Sequence, residues 1–388
     1  MYSASVELCG DSEIFLGGSE LTMKVSVLGW ELPPSFSGGL GIHTINLFTI
    51  LSGVMEVVVY VPDFPQLSDH YPFGVTKVNI GELGSPYSTS GDFYDMVLEY
   101  NARLVETFDP HTDIIHAHDW ITVPAAIKLK KKYDLPLVVT FHSTEYDRSG
   151  NFNPQERIMS IEKEGYNRAD RVITVSGYTD KILRVLYGGH GNTTVVYNGV
   201  SSSIFSNVKK NYSSRSTVLY FGRVTSQKGP TFFVELAKQV LRIVDDVKFI
   251  IAGTGDQYWQ IKEMVDRFGL GSNFEFTGFV DEASAVKLYR DSDVFVLPAV
   301  SEPFGMTVLE SMSTGTPTVI SKTTGVGEAL FNSLKCDFWD VDRMSDYVNS
   351  VLKHRPLREI LGERGRIEAL NFSWERAAIK TLEVYNSL

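Results

Sequence analysis

The sequence predicts an α/β protein made of two doubly wound domains, each a mostly parallel sheet with helices on both faces. Three observations predict it. Short β-branched runs alternate with longer amphipathic stretches, as parallel strands do when crossover helices join them. The alternation occurs twice, on either side of SSSIFSNVKKNYSSRS at 201–216, a Ser-rich stretch with no sustained period. The length of 388 residues also exceeds what a single compact core ordinarily organises.

In the first half, strands are expected at Val25–Leu28, Glu56–Val61, Asp113–His116, Leu137–Phe141, Arg171–Val175 and Thr194–Tyr197. Helical patterns cover Thr44–Leu51, Asp92–Phe108, Val123–Tyr133 and Pro154–Arg168. Ile114 and Ile115 run directly into His116 and His118, as a buried strand does on reaching a surface. In open α/β sheets that carboxyl edge is where ligands bind. The second half repeats the scheme with strands at Thr217–Gly222, Val247–Ala252, Asn273–Thr277, Asp293–Leu297 and Thr316–Ile320. The chain closes on a helical pattern, FSWERAAIKTLEVY. The division that follows is an N-terminal extension (1–22), a first domain (23–205), a second domain (206–372) and a final helix (373–388). That helix is expected to pack back on the first domain. Two similar halves place a cleft between them, a favoured position for a ligand.

Composition narrows the function. A hydrophobic share of 43% and a charged share of 21% describe an ordinary globular chain. A net charge of −11 argues against a general nucleic-acid binder, whose affinity rests on neutralising phosphates. The two cysteines, Cys9 and Cys336, do not make a disulfide framework and suit a reducing compartment. No run reaches the roughly 20 apolar residues that span a bilayer. The opening MYSASVELCG lacks the basic start and apolar stretch of a secretory signal, so the cytoplasm is the expected location.

Four segments carry candidate chemistry. SEPFGMTVLE (Ser301–Glu310) follows the strand DVFVLP and opens a helix, so the amides of Phe304, Gly305 and Met306 become first-turn donors for an anionic or hydroxyl-rich ligand. Glu302 and Glu310 stand eight positions apart in it, and the competing reading is a first-turn carboxylate beside a solvated one. In YFGRVTSQKGP, Arg223 and Lys228 lie on a loop at a strand's carboxyl end. Two cations there suit a diphosphate, although in isolation such pairs are more often solvated. FSGGLGIH (Phe36–His43) sets Gly39, Leu40 and Gly41 in a turn that lets backbone approach phosphate, without the full dinucleotide fingerprint. HAHDW (116–120) and TFHSTEYDRSG (140–150) crowd His116, His118, Asp119 and His142 at one sheet edge, and Glu145, Tyr146 and Arg148 on the loop beyond form a candidate acceptor surface. A metal on His116, His118 and Asp119 lacks a fourth ligand at a recognisable spacing, and groups for sugar hydroxyls are the better reading. Asp291-Ser292-Asp293 reads as a turn or cap, GTGDQ (253–257) equally as a nucleotide turn or a strand-to-helix turn, and Lys128–Lys132 as a solvated helix end.

Taken together, these segments resemble the large retaining glycosyltransferase group with the GT-B fold that includes glycogen, starch, sucrose and trehalose synthases. The resemblance runs from Met23 to Leu388. It rests on the Glu-x7-Glu pair Glu302 and Glu310, with GRVTSQKGP, VYNGV and FTGFVD in order, and GGLG, HAHDW, TFHSTEYDRSG and ADRVITVSGY on the glycogen- and starch-synthase side. It implies two Rossmann-like domains and a family 4 or 5 type of transferase. Arg223 and Lys228 would bind the donor diphosphate, and Glu302 would contact the sugar near the reaction centre, helped by the amides at Phe304, Gly305 and Met306. Glu310 would hold ribose hydroxyls, His142 would bond the donor sugar, and Gly39–Gly41 would lie against the diphosphate. Same-face attack with retention needs neither a protein nucleophile nor a metal, so no cofactor is implied. Bacterial glycogen synthases usually carry a Lys just before the glycine pair, where this chain has Ser37, and they are longer; the subfamily and the adenine-nucleotide preference therefore stay open.

The resulting expectation is glucosyl transfer from ADP- or UDP-glucose to an α-1,4-glucan, with no nucleic-acid partner and no stable membrane association. The same chemistry on a small sugar, a sugar phosphate or a lipid-linked glycan is the alternative. A non-catalytic sugar-nucleotide-binding protein is the reading from a different class. Assembly state is left open.

Overall fold

The computed structural model describes residues 23–35, 38–81, 92–150, 152–189, 191–205, 210 and 215–388. The N-terminal extension, Phe36, Ser37 and half of the expected linker lie outside them.

The first domain is a seven-stranded sheet in which every pairing is parallel. Its strands are β1 (Lys24–Leu28), β2 (Glu56–Pro62), β3 (Gly74–Val78), β4 (Ile114–His118), β5 (Leu137–Phe141), β6 (Arg171–Thr174) and β7 (Thr193–Val195), in the order β3-β2-β1-β4-β5-β6-β7. The second domain has six, β8 (Ser216–Phe221), β9 (Val247–Ala252), β10 (Phe274–Gly278), β11 (Val294–Leu297), β12 (Thr318–Ser321) and β13 (Leu334–Cys336), in the order β10-β9-β8-β11-β12-β13. Buried on both faces, central strands such as LVVTF and VFVL are near-continuous apolar runs. Each sheet therefore has one point where strand order reverses, between β1 and β4 and between β8 and β11. Such a switch point opens a crevice at the carboxyl ends of its strands.

Two edge strands, β3 and β13, escaped the sequence reading. GVTKV is polar and half-exposed, and LKC is three residues long, so neither carries the apolar run of a buried strand. A second correction concerns the glycine-rich segment. The helix that follows β1 starts at Gly39, so Gly39, Leu40 and Gly41 form its first turn instead of a loop before it. Third, β4 runs on to His118, and the side chains of His116 and His118 are fully buried instead of facing a surface. Fourth, the expected linker contains a short helix, Ser202–Phe205.

The final helix, Trp374–Asn386, lies on the first domain. Trp374, Ala377, Ala378, Val384 and Tyr385 share one apolar cluster with Val25, Val27, Leu47, Phe48 and Ile114. The chain crosses between domains twice at one place, where the Val200 amide donates to the Phe372 carbonyl at 3.0 Å. A Cβ on Gly199 would lie 2.3 Å from the Trp374 nitrogen, so the crossing needs glycine. A second cluster joins Val175 and Val200 to Leu219, Phe304, Val308 and Val326, so apolar packing also ties the domains together beside the switch points.

Candidate active site between the two switch points

The second domain contributes two loops. After β8, residues 222–229 turn back so that the amides of Val300 and Ser301 donate to the Gln227 carbonyl at 2.9 and 3.3 Å. Gly229 ends this turn at φ 65°, and a Cβ there would meet the Pro298 carbonyl oxygen at 2.1 Å. Arg223 is exposed, with Nη2 donating to Gln227 Oε1 at 3.1 Å. Lys228 is largely buried and forms an ion pair with Glu302. After β11, Glu302 is held in an extended bridge, its amide donating to the Thr323 carbonyl at 3.0 Å. Gly305 caps the helix Met306–Ser313 at φ 105°, where a Cβ would press on Thr324 at 2.9 Å. Among the described residues the amides of Phe304 and Gly305, just before the cap and at it, have no protein acceptor, and such donors at a helix start suit an anionic or hydroxyl-rich ligand.

Glu310 lies in the second turn of that helix. The Tyr289 hydroxyl donates to its Oε2 at 2.8 Å. Burial pushes its carboxyl up to about 7, and the Tyr289 hydrogen bond only partly opposes this. Glu302 and Glu310 thus have separate partners, Lys228 and Tyr289.

The first domain faces these loops with the start of the helix Gly39–Leu51 and the carboxyl ends of β4 and β5. A Cβ on Gly39 would lie 3.7 Å from Met306 Cε, so the two helix starts meet across the cleft. The Gly41 amide donates to buried Glu31 at 2.7 Å. His142, just past β5, is half-buried and donates its backbone amide to Asp119 Oδ1 at 2.7 Å. Its Nε2 lies 2.9 Å from His118 Nδ1. His43 binds Asn198 through Nδ1 at 2.8 Å. Burial holds all four histidines below their ordinary value, His43 at about 4, His116 at about 3, and His118 and His142 well below it, so the cluster is neutral at pH 7.

The expected ligand trio of His116, His118 and Asp119 does not form. The His116 ring is occupied on both nitrogens, by the Tyr385 hydroxyl at 2.6 Å and Thr140 Oγ1 at 2.7 Å. The Asp119 carboxylate holds the amides of His142 and Ser143. His43, His118 and His142 instead bring ring nitrogens within 4.8 Å of one another. Two of these rings bond each other directly at 2.9 Å, closer than the roughly 3.3 Å that Zn–N bonds of normal length impose on two tetrahedral ligands. The contact is a hydrogen bond.

The candidate acceptor loop is more internal than its polarity suggests. Glu145 is buried, and Arg148 spends its guanidinium on Glu162 at 2.6 Å, Glu145 at 3.4 Å and Asp119 at 3.9 Å. Tyr146 and Arg148 are half-buried. Asp147 caps its own short helix with Thr144 and also accepts from Ser301 Oγ at 2.5 Å across the cleft. Further links between domains run from Ser176 Oγ to the Pro303 carbonyl at 2.5 Å and from the amides of Gly177 and Tyr178 to Glu328 at 2.6 and 2.9 Å. Sequence reading gave no role to His43, Asn198, Ser176, Glu328 or Tyr385. His43 and Asn198 stand inside GGLGIH and VYNGV, but nothing local says that they meet. Asp293, in the Asp-Ser-Asp turn, binds the Thr217 amide and Arg358, and Lys130 pairs with Asp170.

Residues 37–203 match the family model described as Glycosyltransferase Family 4, and residues 202–368 match Glycosyl transferases group 1. An uncharacterized glycosyltransferase of Methanocaldococcus jannaschii is 28% identical over 386 residues, covering 94% of this chain and 98% of that protein. The glycogen synthase of Mycobacterium tuberculosis is 27% identical over 395 residues, covering 94% of each. Among solved structures, a sucrose-phosphate synthase from Thermosynechococcus elongatus superposes with a TM-score of 0.82 at 20% identity, over 94% of this chain and 98% of that one. The Anabaena HepE protein in complex with UDP-glucose gives 0.77 at 18% identity, over 94% of this chain and 100% of that one. Both likenesses establish the shared two-domain fold.

Proposed function

The chain is a glycosyltransferase with the GT-B fold, and from that premise we propose that it moves a glucosyl unit from ADP- or UDP-glucose to the non-reducing end of an α-1,4-glucan, with retention and without a metal. The observation that carries this reading is the convergence at the two switch points. Arg223, Lys228, Glu302 and the free amides of Phe304 and Gly305 stand on one side, with His142 and the start of the helix Gly39–Leu51 on the other.

In this reading the diphosphate lies against Arg223 and Lys228, and Lys228 exchanges its contact with Glu302 for a phosphate oxygen. Positive charge there stabilises the leaving group as the bond from the anomeric carbon to phosphate oxygen breaks. The acceptor hydroxyl attacks from the same face, forms the new glycosidic bond and passes its proton to the departing phosphate. The protein positions and polarises and supplies no nucleophile. Glu310, as a carboxylate, accepts from ribose hydroxyls, and His142 binds the sugar. The glucan as acceptor is supported by the Mycobacterium tuberculosis relative's name, and the glucosyl donor by that name together with the UDP-glucose bound to the Anabaena protein. We place the protein in the cytoplasm.

The test is incubation with ADP-glucose or UDP-glucose and glycogen, reading released nucleoside diphosphate and the anomeric proton of the product. Release with an α-linked product is expected. A folded protein that releases none with either donor refutes the proposal. Release only with a small sugar or sugar phosphate as acceptor replaces the glucan and leaves the transfer chemistry in place.

A further inference from the structure

We propose that His118 is a positioning residue that fixes the tautomer of His142, so that His142 presents Nδ1–H to the donor sugar as a hydrogen-bond donor. The inference rests on the transfer reading above for its functional meaning, and on hydrogen-bond accounting for the tautomer itself.

A neutral imidazole has one N–H and one bare nitrogen. His118 is fully buried; its Nδ1 lies 2.9 Å from His142 Nε2, and its own Nε2 has no partner. With the proton on Nδ1, His118 donates to His142 and leaves only a lone pair unpaired. With the proton on Nε2, a buried N–H is left without an acceptor, and such orphaned donors are rarer in folded proteins than under-used acceptors. The first arrangement makes His142 Nε2 an acceptor, so the one proton of His142 sits on Nδ1. That nitrogen makes no hydrogen bond among the described residues, and the ring is half-exposed at the carboxyl end of β5.

The neighbouring ring follows the same rule. An amide oxygen only accepts, so His43 donates from Nδ1 to Asn198 Oδ1 and its unpartnered Nε2 is bare. His118 is itself held in place. Its backbone amide donates to Thr122 Oγ1 at 2.8 Å, and its ring stacks on His116 at 4.4 Å. His116 is pinned in turn by Tyr385 of the final helix and Thr140 of β5. The line from Tyr385 through His116 and His118 therefore orients His142, the half-exposed member of this histidine cluster. A ring set this way donates to a sugar oxygen and does not accept from one.

Nitrogen-15 NMR of histidine-labelled, ligand-free protein reads the tautomer directly, and donor kinetics read its consequence. Wild-type protein is expected to show His142 protonated at Nδ1 and bare at Nε2 across roughly pH 6–8. His118→Asn keeps an N–H close to the Nδ1 position and should retain both the tautomer and most of kcat. His118→Phe keeps the ring volume without a donor. It should release His142 into mixed tautomers and lower kcat by roughly tenfold to a hundredfold, with the donor KM moving by no more than about threefold. His142 protonated at Nε2 in the wild-type protein overturns the proposal, and so does a His118→Phe variant with undiminished kcat. Because the NMR measurement uses no substrate, a protein with the expected tautomer that releases no nucleoside diphosphate refutes the transfer reading and upholds the placement of His118.

Discussion

At the scale of single residues, the site is a set of charges already paired within the protein. Lys228 and Glu302 neutralise one another in the absence of ligand, which makes their burial tolerable, and a phosphate would take the place of the carboxylate. Lys228→Ala is expected to lower kcat by about a hundredfold or more while the far-ultraviolet circular dichroism stays unchanged, because in the proposed transfer its charge acts on the departing phosphate. Glu310 adds a pH dependence. Burial lifts its carboxyl from 4.5 to about 7, so its contribution to folding is fully present below about 4.5 and is lost as pH rises through about 7. In the proposed donor complex the ribose hydroxyls donate to the Glu310 carboxylate, so donor affinity should tighten as pH rises through about 7. Calorimetric titration of the donor at several pH values checks this, and in Glu310→Gln the trend should vanish. The histidines work in the opposite direction. Their folded values lie below 6.5, so the stability they supply is present above about 6.5 and falls away as pH drops toward about 4 for His43 and about 3 for His116. Urea midpoints should therefore decline on acidification through that window, and less so in His43→Gln.

At the scale of elements, the final helix belongs structurally to the domain farthest from it in sequence. Its Trp374 fills the first domain's core against Val25, Leu47 and Phe48, and its Tyr385 hydroxyl supports His116. Trp374→Ala should cost about 3–5 kcal/mol in urea unfolding, the range for emptying a large aromatic site. Tyr385→Phe keeps the packing and removes one hydrogen bond, so about 1 kcal/mol is expected. This helix was legible as a helix because WERAAIKTLEVYN carries an apolar stripe at helical spacing. The elements that escaped, β3 and β13, are short or polar edge strands held by pairing with β2 and β12, and a partner strand leaves no mark in its neighbour's own sequence. The glycine-rich segment misled for a related reason. Glycines are read as turn residues, whereas here they begin a helix whose Gly41 amide is satisfied by Glu31.

At the scale of the whole molecule, the two domains meet in polar contacts around the cleft and in one apolar cluster beside it. Ser301 to Asp147, Ser176 to Pro303 and Glu328 to the start of the helix Gly177–Tyr187 are bonds that an opening motion would break. Combining Ser301→Ala with Glu328→Ala should enlarge the radius of gyration of the ligand-free protein in small-angle scattering. Saturating donor should reverse part of that change if closure assembles the site.

What the sequence by itself determined is the two-domain architecture and which loops carry the candidate donor-binding groups. Strand and helix periods and cations after a strand are properties of short windows, and the central strands of both sheets and the loops at 222–229 and 301–310 follow from them. Only the tertiary structure decided which polar groups remain free for a ligand. His43 meets Asn198 across 155 residues, Asp147 meets Ser301 across 154 and His116 meets Tyr385 across 269. The loop at 145–148 shows the consequence. Its polar groups read as a candidate acceptor surface, yet Arg148 pairs with Glu162 of the next helix and with Glu145, and the Glu145 amide donates to Glu162. A local pattern tells which groups a segment carries. Burial and long-range pairing determine which of them are already spent.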